Sequence, residues 1–175
     1  MRTFKILVTG PFNAGKTTFI KTLCGKILDS DKRLLIKTVK SATTVALDFG
    51  LLELDEGRVR LFGTPGQRRF FFMWRILAAG MDGYILMVDS QDRGSLEDAA
   101  YIYEFFKKRF PNTPHVISAN KAEGRNVIPE KTIRDVLKVP PEVPVHPTVA
   151  LDRESALNVI NSLLGLIERR KSENG

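Results

Sequence analysis

Gly10-Pro11-Phe12-Asn13-Ala14-Gly15-Lys16-Thr17, followed by Thr18, is the stretch whose residue types and spacing can most directly do chemistry. It has the form G-x-x-x-x-G-K-[ST]. An apolar run (Phe4, Ile6, Leu7, Val8) precedes it, and a stretch with helical spacing (Phe19, Ile20, Leu23, Cys24, Ile27) follows. A loop so placed turns successive backbone N–H groups inward at the positive end of a helix and cradles an anion. The Lys16 ammonium adds a point charge for the outer phosphates of a nucleoside triphosphate. The Thr17 hydroxyl is placed to ligate Mg²⁺. A glycine-containing turn can match such a pattern by chance, but here the strand before and the helix after are both in register. The reading is a triphosphate cradle.

The elements that must hold this cradle are legible along the chain. A first strand, about Thr3 to Thr9, feeds the loop, and the helix after it extends to roughly Leu28. The polar run Asp29 to Arg33 opens a loop. A strand from Val45 to about Leu54 turns at Asp55-Glu56-Gly57 into Arg58 to Phe62, giving one antiparallel pair. After the segment Gly63 to Trp74 a short helix ends near Ala79-Gly80. Tyr84 to Val88 and His115 to Ala119 are continuous apolar runs, as in strands buried on both faces. Ser95, with Asp98 three residues on, is expected to cap a helix whose Ala99, Tyr103, Phe106 and Phe110 face inward. Pro129 opens a shorter helix carrying Ile133, Val136 and Leu137. A last strand, Val145 to Val149, precedes a helix capped by Asp152 or Ser155, with Ala156, Ile160, Leu163 and Ile167 in one stripe. The expected fold is α/β: a three-layer sandwich with a mostly parallel six-stranded sheet, one antiparallel strand, and helices on both faces. Ligands sit at the carboxyl ends of strands in such sheets, where every loop of interest here falls.

At 175 residues the chain suits one domain, and 43% hydrophobic with 27% charged residues is ordinary for a globular protein. No apolar run approaches the roughly 18 residues needed to span a bilayer. Met1-Arg2-Thr3-Phe4 enters a strand at once, so no signal peptide is expected. Neither myristoyl nor prenyl attachment is expected. The single cysteine, Cys24, falls on the apolar face of the first helix and reads as core. These features point to the cytoplasm. The net charge of +7 is spread over Lys32, Arg33, Lys37, Lys40, Arg68, Arg69, Arg75 and Lys107 to Arg109. No nucleic-acid module accompanies it, so an acidic protein partner or an anionic membrane surface is the expected class.

Four further stretches narrow the cradle to a family. Thr44-Val45-Ala46-Leu47-Asp48-Phe49 resembles the Thr-Ile-Gly-Val-Asp-Phe run of Rab-type small GTPases. Thr64-Pro65-Gly66-Gln67 resembles the turn that opens the second switch of the Ras superfamily. Asn120-Lys121-Ala122-Glu123 resembles the guanine-reading Asn-Lys-x-Asp motif, and Thr148-Val149-Ala150 sits where that superfamily places its last base-contacting loop. Order and spacing agree over nearly the whole chain. Thr-Pro-Gly-Gln and Val88-Asp89-Ser90-Gln91 look most like a prokaryotic branch, that of gliding-motility polarity GTPases and GTPases of actinobacterial signalling operons, whose members work beside small Roadblock-domain proteins.

The resemblance implies a role for each residue. Gly10, Asn13, Ala14, Gly15, Lys16, Thr17 and Thr18 would hold the phosphates. Thr44, with Thr43 as a fallback, would close over Mg²⁺ and the γ-phosphate, making Asp29 to Thr44 the first switch. Gln67 would orient the attacking water, with Lys16 and the Gly66 N–H on the γ-phosphate. Asn120 and Lys121 would hold the base and brace the loop. Glu123 would accept two hydrogen bonds from guanine, and Ala150 would offer its N–H to the guanine carbonyl. Three of these have a plainer alternative: Thr44 as a strand residue, Gln67 and Glu123 as solvated loop residues.

Three departures from the family pattern carry their own expectations. Gly63 stands where the superfamily has an Mg²⁺-site aspartate, with Asp48 as a candidate substitute and Asp89 read as structural. Glu123 is one methylene longer than the usual aspartate, which would weaken the preference for GTP without abolishing it. Phe12 is bulky for its position in the loop, and no arginine finger is evident. Since a finger contributes about 10³ to 10⁵ in rate, turnover without a partner should be slow.

The run Phe70-Phe71-Phe72-Met73-Trp74 is too apolar for one face of a short helix. It either forms a partner surface with Arg68 and Arg69 or packs largely into the core. Together these readings describe a slow GTP hydrolase: a GTP/GDP-binding, Mg²⁺-dependent switch that recruits a protein partner through its switch regions, with a Roadblock-domain activator as the candidate the resemblance implies. A non-hydrolysing nucleotide-binding scaffold is the rival, and a P-loop kinase a third option.

Overall fold

The computed structural model describes residues 1–25, 35–38, 41–44 and 47–175. Six strands form the main sheet in the order β4 (Phe49–Leu54), β5 (Gly57–Gly63), β1 (Arg2–Thr9), β6 (Gly83–Asp89), β7 (His115–Asn120) and β8 (Val145–Thr148). All neighbours are parallel except β4 and β5, the pair joined by the turn at Asp55-Glu56. The helices are α1 (Lys16–Cys24), α2 (Phe71–Ala78), α3 (Leu96–Arg109), α4 (Glu130–Leu137) and α5 (Arg153–Glu173). No helix among the described residues is long and apolar enough to cross a membrane.

The period-two alternation of the strands builds two cores. Ile6, Val8, Ile85 and Met87 face α1 and α5, meeting Phe19, Ile20, Ile160 and Leu163. Leu7, Tyr84, Leu86 and Val88 face the opposite layer, meeting Trp74, Tyr103, Phe106 and Ile133 from α2, α3 and α4. Every residue of β6 is therefore buried. Register aligns the strand exits: Val8 pairs with Gly63, Asp89 with Asn120, and Asn120 with Thr148. Five exit loops thus open along one edge. On the far side the sheet ends at β8, a four-residue edge strand in which Ala119 of β7 faces Pro147.

Several boundaries and contacts differ from expectation. The first helix stops at Cys24, where Gly25 turns left-handed (φ +69°) and its N–H closes on the Lys21 carbonyl. Strand β4 begins at Phe49. Residues 26–34, 39–40 and 45–46 lie outside the described residues. Within the stretch read as the first switch, the backbone forms an antiparallel pair, β2 (Leu35–Thr38) with β3 (Ser41–Thr44), separate from the main sheet. Thr44 is the last residue of β3, paired with Leu35. Ser95 does not cap α3: its hydroxyl donates to the Asp92 carbonyl at 2.9 Å, and the Asp92 carboxylate caps a preceding 3₁₀ turn through the Gly94 N–H. Asp98 is instead drawn to Arg68. Val136 points to solvent, because the exposed side of α4 includes that position. Asp152 is the cap of α5, accepting from the Glu154 N–H, while the Ser155 hydroxyl accepts from the Val149 N–H.

Helix α2 begins at Phe71, not after Trp74, and this divides the aromatic run. Met73 and Trp74 are fully buried, whereas Phe71 is half exposed. The indole N–H donates to the Pro65 carbonyl at 2.7 Å, and the ring packs edge-on to Phe105. Trp74 is core, and the partner-surface reading fails for it. What remains exposed is Phe71, Arg75 and Ile76, beside Phe105 and Arg109 of α3.

Candidate nucleotide site

The loop between β1 and α1 encloses, with the exits of β5 and β7, a cavity of about 500 Å³. Asn13, Gly15, Lys16, Thr17 and Thr18 line it from the loop and first helical turn; Asp48, Gly63 to Gly66 and Lys121 line the other walls. Gly15 has φ +101°, and a β-carbon there would lie 2.2 Å from Asn120 Nδ2. Only glycine lets the loop come so close to the β7 exit. Ala14 is buried; Gly10 and Asn13 also have positive φ.

Lys16 Nζ donates to the carbonyls of Gly10 (2.6 Å) and Pro11 (2.7 Å). Burial pushes its pKa down to about 8, against the raising pull of Asp48. A phosphate beside this ammonium would raise that pKa again. Binding of a phosphate ligand is therefore at full strength below pH 8 and takes up a proton above it. Calorimetric titration with GDP in buffers of differing ionisation heat should show proton uptake above pH 8 and affinity falling toward tenfold per pH unit. Lys16→Arg, charged throughout, should flatten that profile.

Asn120 ties the site together. It is buried; its Nδ2 donates to the Ala14 carbonyl and its Oδ1 accepts the Ala150 N–H, each at 2.9 Å. The phosphate loop, the β7 exit and the β8 exit are thus one hydrogen-bonded unit. The Ala150 N–H, expected to meet a guanine carbonyl, is in this structure given to Asn120. Lys121 has φ +62° and its ammonium pairs with Asp89 Oδ2 at 2.5 Å. Asp89 Oδ1 accepts the Gln91 N–H, the structural role expected of it. The Gln91 side chain lies against Gly124 and donates to the Lys121 carbonyl at 3.1 Å. Sequence reasoning named Gln91 only within the Val88-to-Gln91 run and gave it no role in the site. Glu123 is exposed and makes no hydrogen bond or ion pair among the described residues.

The second-switch residues divide. Gly66 rests on the loop: a β-carbon there would come 2.3 Å from the Phe12 N. Gln67 is exposed and lines a neighbouring depression with Arg68, Asp92 and Asp98 instead of the cavity. Arg68 is held at 2.9 Å by Asp98 and lies over the Tyr101 ring. Phe12 is two-thirds exposed at the mouth. Cys24 is half-buried, and burial pushes its thiol up to about 11, the inert character expected.

For a divalent ion the oxygen donors at hand are the Thr17 hydroxyl and the Asp48 carboxylate, which are hydrogen-bonded to each other. Among the described residues no group of three or more His, Cys, Asp and Glu could hold a metal alone. This donor set fits Mg²⁺, which commonly takes one or two protein oxygens with the remainder from phosphate and water. Thr44 can be placed only by its position in β3.

A family model described as "Conserved hypothetical ATP binding protein" matches residues 29–168, four-fifths of the chain. The chain belongs to that family. The matched residues begin downstream of the phosphate loop. Relatives of the family member include the uncharacterized protein MJ1339 of Methanocaldococcus jannaschii, 31% identical over 107 residues, or 61% of this chain and 64% of that one. The chain thus spans just under two-thirds of that relative's length. ADP-ribosylation factor-like protein 3 of Saccharomyces cerevisiae is 26% identical over 96% of this chain and 87% of its own. This similarity supports homology to small GTPases of the ADP-ribosylation-factor type. Among solved structures, the Arl6 BBS3 small GTPase of Trypanosoma brucei with bound GppNp superposes with a TM-score of 0.74 at 18% identity. It covers 96% of this chain and 99% of that one, and so shares the fold.

Proposed function

We propose that this chain is a guanine-nucleotide switch that binds GTP and GDP with Mg²⁺, hydrolyses GTP slowly on its own, and recruits a protein partner. The observation that carries this reading is the Asn120 bridge. One side chain joins the phosphate loop at Ala14 to the β8 exit at Ala150, so phosphate and base contacts form on a single rigid frame. Lys16 and the loop amides would bind the phosphates. Lys121 and Asn120 would position the base, and Glu123 would accept hydrogen bonds from its edge. Bound Mg²⁺ would supply charge neutralisation for the outer phosphates. Gln67, pointing away from the cavity here, would have to swing in to orient water. That agrees with unassisted turnover in the range of about 10⁻⁴ to 10⁻² per second.

The family description names ATP, and an exposed Glu123 is the observation that keeps an adenine reading in play. The mass of the nucleotide that co-purifies, together with GDP and ATP affinities measured with and without Mg²⁺, decides between them. On the guanine reading GDP binds far more tightly than ATP. Glu123→Ala should then lower GDP affinity by about 100-fold or more while leaving ATP affinity unchanged, because only guanine presents the paired donors. ATP preferred by the wild type would overturn the proposal.

The orientation of Gln67 also favours a second reading, a scaffold that binds nucleotide without hydrolysing it. Single-turnover hydrolysis, with Gln67→Ala as control, separates the two. For the partner we propose an acidic protein surface, a Roadblock-type activator being the candidate, docking on Phe71, Arg75 and Ile76 with Arg69 and Arg109 at its edge. Thr64-Pro65-Gly66-Gln67 supports placement beside the prokaryotic branch. A reducing, cytoplasmic setting agrees with the inert Cys24.

A further inference from the structure

The exit of β5 carries no side chain at Gly63, and the space beside it is taken by Asp48. A β-carbon on Gly63 would lie 3.1 Å from the Asp48 Cβ and 3.6 Å from its Oδ2. The Gly63 N–H donates to the Asp48 carbonyl at 2.8 Å, which fixes the aspartate from the backbone side. Its carboxylate accepts the Thr17 hydroxyl proton and lines the cavity with Lys16. A carboxylate in that wall has two consequences. It would repel a triphosphate at close range unless a cation lies between them. And because the Thr17 hydroxyl spends its one proton on Asp48, its lone pairs are left to face such a cation.

From this geometry we infer that Asp48 is the carboxylate of the Mg²⁺ site, orienting Thr17 and balancing the ion's charge from the residue that enters β4 beside Gly63. The inference rests on the nucleotide-binding reading above. Asp48 acts as a positioning residue, and the ion's remaining ligands come from phosphate and water. A chain arranged in this way needs no acidic residue at 63, where an added β-carbon would sit tightly against Asp48 Cβ and, at 3.2 Å, Ile20 Cδ1.

Release of fluorescent mant-GDP, followed in Mg²⁺ and in EDTA, tests this without any turnover assay. In the wild type EDTA should accelerate release. In Asp48→Asn, Mg²⁺ affinity should fall about 10- to 100-fold, the usual effect of removing a group that orients a metal ligand. A further sign reversal is expected that a purely structural role would not produce: in EDTA, Asp48→Asn should bind mant-GDP more tightly than wild type, because a like charge has been removed. The exchange variant Asp48→Gly with Gly63→Asp, which returns a carboxylate from the neighbouring strand, should recover Mg²⁺-dependent retention. Unchanged Mg²⁺ affinity in Asp48→Asn overturns the inference, as does loss of mant-GDP binding by that variant even in EDTA. Wild-type release insensitive to EDTA also sinks it while leaving nucleotide binding intact; failure of the wild type to bind mant-GDP at all sinks the proposed function itself.

Discussion

Trp74→Ala should lower the free energy of unfolding by about 3–5 kcal/mol, the range for deleting a large buried aromatic side chain. Trp74 is fully buried and packs on Phe105 and Phe106 with ring centroids 5.4 and 6.5 Å away, so truncation leaves a void in the α2–α3 layer. It also removes the donor to the Pro65 carbonyl, one residue before Gly66. Urea unfolding monitored by circular dichroism should show the midpoint falling with little change in slope. A loss below about 1 kcal/mol would mean that the indole is not core. Trp74→Phe separates the two contributions. It keeps most of the ring packing and loses the hydrogen bond, and should cost about 1 kcal/mol. By freeing the Pro65 carbonyl it should also raise hydrogen exchange across 64–67.

Asn120→Asp should lower nucleotide affinity by about 100-fold or more, equivalent to about 2.7 kcal/mol. The substitution is isosteric and keeps an acceptor for the Ala150 N–H. On the other arm it places a carboxylate oxygen against the Ala14 carbonyl, 2.9 Å from the present donor atom. A buried charge facing a carbonyl costs more than a lost neutral hydrogen bond. The distinguishing signature is its pH dependence. Protonation restores an O–H donor, so the variant should regain affinity as pH falls toward the carboxylate range, while Asn120→Ala should not. Equal affinities for wild type and Asn120→Asp at pH 7.5 would show that the bridge does not hold the site.

The parallel sheet was legible because Tyr84 to Val88 and His115 to Ala119 announce strands buried on both faces, and the phosphate loop was legible because its glycines and lysine are local in sequence. What could not be read was set by distant contacts. The Asn120 bridge to Ala14 spans 106 positions and follows from no spacing rule; that Asn120 braces the loop was expected only through the family resemblance. The indole of Trp74 was ambiguous because burial of one residue in a five-residue apolar run depends on where the helix starts, and Phe71 starts it. Ser95 looked like a cap because hydroxyl and carboxylate stood three apart, yet Asp92 was nearer the orphan N–H and Arg68 claimed Asp98. Asp48 was visible only as a candidate; its contact with Thr17 depends on β4 and β1 flanking the same strand exit.

The edge of the sheet formed by β8 has a bearing on how copies of this chain meet. Pro147 has no N–H to donate, and the strand is only four residues long. A second chain has little ladder there on which to extend the sheet. Fibril-like stacking and dimerisation through a continuous sheet are therefore disfavoured on that side.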